Sequence, residues 1–350
     1  MTPGRFLCVV SGERRGLSPA FSSLWCAVIS SHPCGHASVR GGMPTSVEKR
    51  FRSWYLPPLD AGKRAMIRVG PAGWSYEDWK GTVYPEPPPR GFDPLPYIAE
   101  YFDTIEINSS FYRPPTETMS RSWVRRVAHN PRFKFTAKLY QRFTHERGTA
   151  SAEDERLVKR GMEPLLEADR LGALLVQFPW SFKNTPDARA YLRELLERFR
   201  EYPLVVEVRH SSWNVEEVYR FLAERGVGFC NIDQPLFHRS LPPTSRVTAP
   251  VGYVRLHGRN YENWFAENAD PGARYDYLYS PEELEPWIEK IRQIGEIARD
   301  VYVITNNHVR GKGAVNALEL RAALEGGKVA VPKPLLAHYP RLQAIARPAV

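Results

Sequence analysis

From residue 66 onward, short β-rich runs alternate with amphipathic helical stretches, and this rhythm constrains the fold more than any other feature. Strands that alternate with helices build βαβ units, which place the strands in a parallel sheet. Eight such units over about 265 residues match a (β/α)8 TIM barrel in number and length. The predicted strands are residues 67–70, 104–111, 133–139, 173–178, 204–210, 228–233, 252–258 and 301–307.

Helix signals separate most of these strands. Ser151 and Asp154 stand at capping-box spacing, and Pro186 takes a first-turn position in the next helix. Residues 234–250 are rich in proline without a helical period, so a loop is expected to replace the helix after the sixth strand. An open doubly wound sheet is the alternative, but no G-x-G-x-x-G follows the first strand. The predicted helices are 116–129, 151–172, 185–199, 214–226, 280–298 and 314–327.

The first 65 residues differ in composition from the rest. They contain nine Lys and Arg against three Asp and Glu, and three of the four cysteines. We interpret residues 1–65 as a disordered extension, or as sequence upstream of a true start at Met43 or Met66. The barrel domain is then expected over residues 66–340, followed by a C-terminal tail at 341–350.

The basic charge is concentrated in that extension. It accounts for +6 of the formal net charge of +9, which leaves +3 for residues 66–350 and gives weak support for nucleic-acid binding. No run of 18 apolar residues is present, so no membrane span and no membrane partner are predicted. Cys230 is the one cysteine of the body, which fits a reducing cytoplasm.

Six predicted strands end in pairs of polar residues at alternate positions. Side chains alternate between the faces of a strand, and helices cover the outside of a barrel, so these pairs are expected to point inward at its active-site end. The residues at the intervening strand positions, which include Cys230 and Ile232, are expected to face the helices. Buried charges are costly unless paired, so the set could equally form a structural salt-bridge lattice. The pairs are Glu106 and Asn108, Thr136 and Lys138, Glu207 and Arg209, Asn231 and Asp233, Arg255 and His257, and Thr305 and Asn307.

Seven stretches form an ordered series along the body. They are GPAGWSYEDWKG (70–81), FDTIEINSSFYRPP (102–115), FKFTAKLYQRFTH (133–145), GALLVQFPWSF (172–182), VVEVRHSSW (205–213), YVRLHG (253–258) and the Asn pair at 306–307. Together they resemble the DUF72 family of YecE-like proteins. The resemblance implies a TIM-barrel-like fold. It implies no activity, because the family has no established biochemical role, and a suggested likeness to endonuclease-IV-type phosphodiesterases is an analogy of fold.

The polar strand ends favour an enzyme that acts on a phosphorylated or otherwise anionic small molecule, or on a nucleic-acid phosphodiester. Glu207 or Glu106 is expected to act as acid or base, with His257 or His145 as the proton shuttle. Asp233 is a further catalytic candidate at the end of the sixth strand.

Basic residues supply two expected anion sites. Arg209, Arg255 and Lys138 are expected to clamp an anion inside the barrel. After the eighth strand, Arg310 and Lys312 precede a helix start, which is where barrels often bind phosphate.

Metal-assisted hydrolysis is a weaker expectation. Histidines and carboxylates are present, but the body lacks the close histidine spacings typical of metal sites, and the neighbouring cations would repel a divalent ion. No cofactor motif is present, so no metal site and no cofactor are assigned.

A non-catalytic module for nucleic acid or sugar is the alternative class. Aromatic residues in the loops suit bases and sugar rings, and Glu106 with Glu207 could form a glycosidase carboxylate pair. The residues expected to bind a ligand are Trp74, Tyr76, Asn108, Tyr112, Lys138, Gln177, Arg209, Trp213, Arg255, Asn306, Asn307, Arg310 and Lys312.

Overall fold

The structure is a computed structural model that describes residues 64–266 and 272–348. The predicted extension at 1–65, apart from its last two residues, and the alternative start at Met43 lie outside the described residues. The last two residues of the predicted tail lie outside them as well.

Eight parallel strands form one sheet in the order β1-β8-β7-β6-β5-β4-β3-β2. At the remaining seam, Ala72 and Glu106 form a β-bridge, and the Gly73 N–H donates to the Glu106 carbonyl at 2.9 Å. The predicted α/β fold of the (β/α)8 TIM-barrel type is confirmed. The strands are β1 (Met66–Pro71), β2 (Thr104–Ile107), β3 (Lys134–Lys138), β4 (Leu171–Gln177), β5 (Leu204–Glu207), β6 (Gly228–Asp233), β7 (Val251–Leu256) and β8 (Asp300–Thr305).

Helices fill most of the connections, and two of the predicted helix starts are reproduced. Ser151 and Asp154 form the reciprocal capping box of α4, and Pro186 opens α5. In the described residues the α-helices are α1 (Pro94–Ala99), α2 (Ser109–Tyr112), α3 (Glu117–Arg126), α4 (Ala152–Glu167), α5 (Pro186–Arg198), α6 (Glu216–Ala223), α7 (Pro281–Gly295), α8 (Lys312–Glu325) and α9 (Lys333–His338). Turns of 3₁₀ helix lie at Glu77–Trp79, Gln141–Phe143, Ser211–Trp213, Ala273–Tyr275, Val309–Gly311 and Pro340–Ala344.

The connection from β6 to β7 differs from the others. Residues 234–250 are all described and contain no helix, which confirms that a loop replaces the helix there. None of the helices in the described parts of the chain has the length and apolar character needed to cross a bilayer.

The aliphatic side chains of the strands build the layer between sheet and helices. Ile105, Ile107, Val206, Val254 and Leu256 face outward as predicted, and each is at most 1 % exposed. Burying each such side chain contributes about 1.5–3 kcal/mol, so this layer fixes which face of each strand points into the barrel.

Strand β6 has the opposite orientation to the one predicted. In the register of β6 and β7, Cys230 pairs with Tyr253 and Ile232 pairs with Arg255, and these side chains point into the barrel. The expectation that Cys230 faces the helices was wrong, and so was the expectation that Asn231 and Asp233 point inward.

Asn231 points outward because a loop, rather than a helix, covers this strand. Its Nδ2 donates to the carbonyls of Arg246 (2.9 Å) and Tyr253 (3.2 Å). Its Oδ1 accepts from the Arg246 N–H and the Thr244 hydroxyl, both at 2.7 Å. An irregular segment leaves backbone groups unpaired, so a polar side chain suits this outward position better than an aliphatic one.

Asp233 is also held outside the barrel. Its carboxylate accepts hydrogen bonds from the Tyr279 hydroxyl (2.8 Å) and Trp287 Nε1 (2.7 Å), and it pairs with Arg259 at 2.7 Å. The predicted catalytic position of Asp233 is therefore corrected, because all three partners follow β7 and none lines the barrel interior.

Strand β8 departs from the predicted orientation in the same way. The Thr305 hydroxyl donates to the Gly313 carbonyl at 2.8 Å, and Asn307 Nδ2 donates to Asn316 Oδ1 at 2.8 Å. Both partners lie on α8, so Thr305 and Asn307 face the helices and Asn306 takes the inward position. The predicted ligand contact by Asn307 is wrong in orientation.

The predicted tail is part of the packed structure as far as residue 348. Leu342 is fully buried, and Arg341 pairs with Glu319 on α8 at 2.7 Å. The Arg347 N–H donates to the Val329 carbonyl at 2.8 Å. The segment therefore closes over α8 and does not extend freely from the barrel.

We predict that Asn231→Ala destabilises the fold by about 2–4 kcal/mol, because it leaves buried groups of the loop without partners. Urea unfolding followed by circular dichroism would measure the loss. Gln293→Ala, at an exposed position of α7, is the control and should change the free energy of unfolding by less than about 0.5 kcal/mol. Equal effects from both variants would contradict the structural role of Asn231.

Candidate functional site

One arginine joins two carboxylates inside the barrel. Arg255 NH2 lies 2.6 Å from Glu106 Oε1, and its NH1 lies 2.6 Å from Glu207 Oε2. All three side chains are fully buried and come from β2, β5 and β7, which are not neighbours in the sheet. We call Arg255, Glu106 and Glu207 the buried triad. Removing one partner of such a pair typically costs about 3–5 kcal/mol, because a buried charge is left unpaired.

Two hydroxyls complete the base of the buried triad. The Tyr253 hydroxyl lies 3.0 Å from Glu106 Oε2 and 2.8 Å from the Thr136 hydroxyl. Burial and the adjacent Glu106 raise the pKa of Tyr253, so it keeps its single proton. It therefore donates to the carboxylate and accepts from Thr136, and both Glu106 oxygens are engaged.

Glu207 is surrounded by nitrogen donors. Besides Arg255, its Oε1 contacts Arg209 NH2 at 3.0 Å and His257 Nε2 at 3.2 Å. Desolvation by itself would raise its pKa, but Arg255, His257 and Arg209 hold the pKa of this carboxyl well below its usual range. Glu207 is thus a permanent carboxylate that orients its neighbours.

His257 is held as a neutral imidazole. Burial and the nearby Arg209 lower its pKa to about 3. Asn306 Nδ2 lies 3.1 Å from Nδ1 and donates to it, so Nε2 carries the proton and donates to Glu207. Gln177, paired with Glu207 in the register of β4 and β5, completes this level with its Oε1 3.4 Å from Arg255 NH1.

Lys138 ends β3 on the same inward face. Its backbone is held by Ser110, whose hydroxyl accepts from the Lys138 N–H at 3.1 Å and lies 2.8 Å from the carbonyls of both Lys138 and Ile107, which share its one proton. Its Nζ lies 5.3 Å from the centre of the Phe111 ring. Burial and the charge of Arg255 lower the pKa of Lys138 to about 8.

His145 lies beside Lys138 at the outer level of the site. Its ring packs edge-on against Phe111 with centroids 4.8 Å apart, and Nδ1 lies 3.0 Å from the Thr144 hydroxyl. The residue as a whole is exposed, but partial desolvation of the ring and the charges of Arg209 and Lys138 lower its pKa to about 4. His145 is therefore neutral near pH 7.

The charges of this cluster do not cancel. Two carboxylates, Glu106 and Glu207, face two guanidinium groups, Arg255 and Arg209, within hydrogen-bonding distance. Among the described residues, the Lys138 ammonium has no hydrogen-bond or ion-pair partner. The interior thus carries an excess positive charge, located at the end of β3.

Aromatic rings line one side above the cluster. Tyr76 stacks on His308 (4.4 Å), His308 contacts Tyr275 (5.5 Å), and Tyr275 contacts Trp264 (6.4 Å), with each distance between ring centroids. Trp264 also packs against the Arg209 guanidinium at 5.7 Å. We call these four rings the aromatic rim. Such faces can pack against the apolar parts of a ligand.

The amide of Asn108 lies next to the aromatic rim. Its Nδ2 donates to the Tyr76 hydroxyl at 3.2 Å, and that hydroxyl donates to the Ala72 carbonyl at 2.7 Å. The Asn108 Oδ1 is buried and has no hydrogen-bond partner among the described residues. Since buried acceptors normally have a partner, this oxygen can accept a hydrogen bond from a ligand or from water.

Three aromatic residues predicted to bind a ligand lie away from the cluster. Trp74 packs edge-on against Trp123 of α3, in the layer outside the sheet. Trp213 is 1 % exposed, and its Nε1 donates to the Phe182 carbonyl at 2.7 Å. Tyr112 is 69 % exposed on α2. Trp213 is a core residue and Trp74 is partly buried against the core outside the sheet, which corrects those two assignments.

The predicted anion site after β8 is already partly occupied by carboxylates of the protein. The Arg310 backbone N–H donates to Asp78 Oδ2 at 2.6 Å, and Lys312 Nζ pairs with Asp276. The Arg310 N–H and the Lys312 ammonium are therefore engaged by the protein, while the Arg310 guanidinium has no hydrogen-bond or ion-pair partner among the described residues. The phosphate site expected there stays a prediction.

The structure thus brings together four of the five predicted catalytic residues, Glu106, Glu207, His257 and His145. The sequence reasoning missed Tyr253, although it shares parity with Arg255 and His257. It also missed His308, which follows the Asn pair and becomes part of the aromatic rim through its contact with Tyr76.

No group of three or more His, Cys, Asp or Glu side chains within residues 64–266 and 272–348 is arranged to hold a metal ion. Both Glu207 oxygens already accept from charged or ring nitrogens. The expectation that the site works without a metal stays a prediction.

The buried neutral state of His257 predicts a pH dependence of stability. The ring takes up a proton near pH 6.5 in the unfolded chain but only near pH 3 in the fold. Between these values the unfolded chain binds more protons, so stability falls as the pH falls, by about 1 kcal/mol per pH unit. His257→Gln can form hydrogen bonds to both Asn306 and Glu207. This variant should reduce the dependence of the unfolding free energy on pH in this range. Urea unfolding between pH 7 and pH 4 would measure it.

His129→Gln, at an exposed position after α3, is the control for loss of a histidine. Parallel curves for the wild type and His257→Gln across this pH range would contradict the neutral assignment of His257.

Comparison with known proteins places the chain in a family. The family model described as "Protein of unknown function DUF72" matches residues 68–339. The UPF0759 protein YunF of Bacillus subtilis is 28% identical over 274 residues, which cover 74% of this chain and 95% of YunF.

Solved structures agree with this match. A DUF72 family protein from Thermotoga maritima is 38% identical with a TM-score of 0.65, over 74% of this chain and 99% of that one. A DUF72 family protein from Enterococcus faecalis is 27% identical with a TM-score of 0.66, over 74% of this chain and 96% of that one. The resemblance noted in the sequence is confirmed: the chain belongs to the DUF72 family, whose function is not established.

Proposed function

We propose that the protein is an enzyme for a small anionic compound, a carboxylate or a phosphate ester, held between Lys138 and Arg209 inside the barrel. One observation carries the proposal: the carboxylates of the cluster are saturated by arginine, histidine and tyrosine, and Lys138 is left without a counter-ion among the described residues. Lys138 is only partly exposed, a cation held mostly out of water without a partner is costly, and an anionic ligand would relieve that cost.

Arg209 supports the same ligand. Its Nε and NH2 bond to Glu207, and its side chain is 12 % exposed. Its NH1 makes no hydrogen bond to any residue that the structure describes. A guanidinium that is anchored on one side and open on the other is suited to bind a carboxylate or phosphate oxygen.

The same geometry limits which residues can act as the acid and the base of the reaction. Glu207 keeps its charge, and Glu106 is fully buried with both oxygens engaged, so neither is placed to give a proton to a leaving group. Proton transfer would fall to His145 and Lys138, which have pKa values of about 4 and about 8. The glycosidase alternative needs a carboxyl group that is free to protonate a leaving group, and the carboxyl groups of this pair are already engaged by arginine, histidine and tyrosine.

A small ligand is favoured over nucleic acid, because residues 66–350 have a net charge of only +3. A cytoplasmic location remains consistent with Cys230, which is free and buried.

We expect inorganic phosphate or citrate to bind the wild-type protein in isothermal titration calorimetry. Lys138→Gln and Arg209→Gln should each weaken binding by roughly tenfold to a hundredfold, since a hydrogen bond to a charged group contributes about 1.5–3 kcal/mol. Raising the ionic strength should weaken binding only modestly, because the site is largely shielded from solvent.

Lys312→Gln and Lys328→Gln are the matched controls. Lys312 is paired with Asp276 and Lys328 is exposed, so neither change should alter the affinity. Loss of binding in Lys312→Gln with normal binding in Lys138→Gln would place the anion site after β8 and contradict the proposal.

A further inference from the structure

Lys138 differs from the lysines that form ion pairs in the described part of the chain. Lys80, Lys134, Lys159 and Lys312 each lie within 4.0 Å of a carboxylate. The side chain of Lys138 points into the barrel and has no such partner in the described residues. Its Nζ lies over the face of the Phe111 ring. A lysine with a purely structural role would stabilise the fold by pairing with Glu106 or Glu207. Those carboxylates already form ion pairs with Arg255 and Arg209.

The position of the Lys138 amine is well defined. Ser110 is 1 % exposed and holds the Lys138 backbone through both its carbonyl and its N–H. The ring of Phe111 supports the side chain at 5.3 Å. The amine is therefore presented from a rigid element, as covalent catalysis requires.

The surroundings also make the amine reactive. Desolvation and the positive charges of Arg255 and Arg209 disfavour the ammonium form. With a pKa of about 8, roughly a tenth of the amine is neutral at pH 7. A neutral amine is a nucleophile, and lysines activated by desolvation and a nearby cation attack carbonyl groups.

We propose that Lys138 is a nucleophilic amine that forms an imine with the carbonyl carbon of a small anionic oxo compound, such as a 2-oxo acid or a phosphorylated aldehyde or ketone. The inference rests on the proposed function, because Arg209 would hold the anionic group while the carbonyl carbon reaches Lys138. It adds the class of substrate and the covalent step.

The step balances without an oxidant or a reductant. The neutral amine forms the C–N bond, and the carbonyl oxygen takes up a proton as the carbinolamine forms. One of the two amine protons passes to that oxygen, and a second proton, equivalent to the one that Lys138 gave up on becoming neutral, converts the hydroxyl into water. The C–O bond then breaks, water leaves, and the nitrogen keeps its remaining proton as an iminium. His145, whose ring packs against the same Phe111 ring as Lys138, is the neutral group placed to move these protons.

The iminium keeps the positive charge that Lys138 carries in the free protein. The buried triad therefore has the same charge to balance before and after the step. An iminium also withdraws electrons from the adjacent carbon, which favours proton abstraction or carbon–carbon bond cleavage next to the former carbonyl.

Reductive trapping tests the proposal on the full chain. Wild-type protein is incubated with pyruvate, or separately with pyridoxal 5′-phosphate, and treated with sodium borohydride. We expect a stable secondary amine on the peptide that contains Lys138, found by mass spectrometry after proteolysis. The yield should rise with pH and reach half its maximum near pH 8.

Two variants separate the covalent step from anion binding. Lys138→Arg keeps the charge and should bind phosphate while forming no adduct. Arg209→Gln should reduce trapping of pyruvate at least tenfold and trapping of the uncharged aldehyde propanal by much less, because only pyruvate loses a contact to its anionic group. Circular dichroism would confirm that both variants fold.

Labelling spread over surface lysines, with none on Lys138 and equal amounts in Lys138→Arg, would overturn the proposal. If phosphate still binds the wild-type protein in that case, the covalent step alone is wrong. If neither binding nor adduct is found, the proposed function is wrong as well.

Discussion

The interaction between Arg255 and the two carboxylates of the buried triad determines most of the chemistry inside this barrel. One guanidinium satisfies both Glu106 and Glu207, and Arg255, His257 and Arg209 together hold the pKa of Glu207 well below its usual range. Glu207 can then accept from His257, which remains neutral. The same saturation leaves no carboxylate for Lys138. The proposed reactivity of the site is thus a consequence of how its negative charges are shared.

The fold could be predicted from sequence to a large extent, and the errors have a common physical cause. Orientation on β2, β3, β5 and β7 follows from alternation, because aliphatic residues such as Ile105 and Val206 need a helix to pack against. The same rule fails where the cover is irregular or polar. Asn231 serves the backbone of the loop at 234–250, and Thr305 serves the backbone of α8. The assumption that polar strand residues point into the barrel fails here, because these side chains have polar partners outside the sheet.

Most residues of the candidate site could be predicted from the sequence. Which of its charged groups have a partner within the protein, and which have none, could not. In sequence, Lys138 and Lys312 are both basic residues near the end of a strand. In the structure, Lys312 meets Asp276, which lies in a separate segment of the chain, and Lys138 meets a phenyl ring. That difference depends on long-range pairing, which local pattern does not encode. Core positions such as Trp213 were assigned to a ligand for the same reason, because an aromatic after a strand can face either way.

The clamp that Ser110 places on Lys138 has a consequence for the thermodynamics of ligand capture. The strand end, the triad and the neutral imidazole are all fixed by contacts within the protein. Ordering on binding would therefore be confined mainly to the four-carbon stem of one lysine, at an entropic cost of up to about 2 kcal/mol. A barrel arranged in this way should have nearly the same backbone with and without its ligand. Selectivity would then come from the fit of the ligand to a fixed set of charged and polar groups.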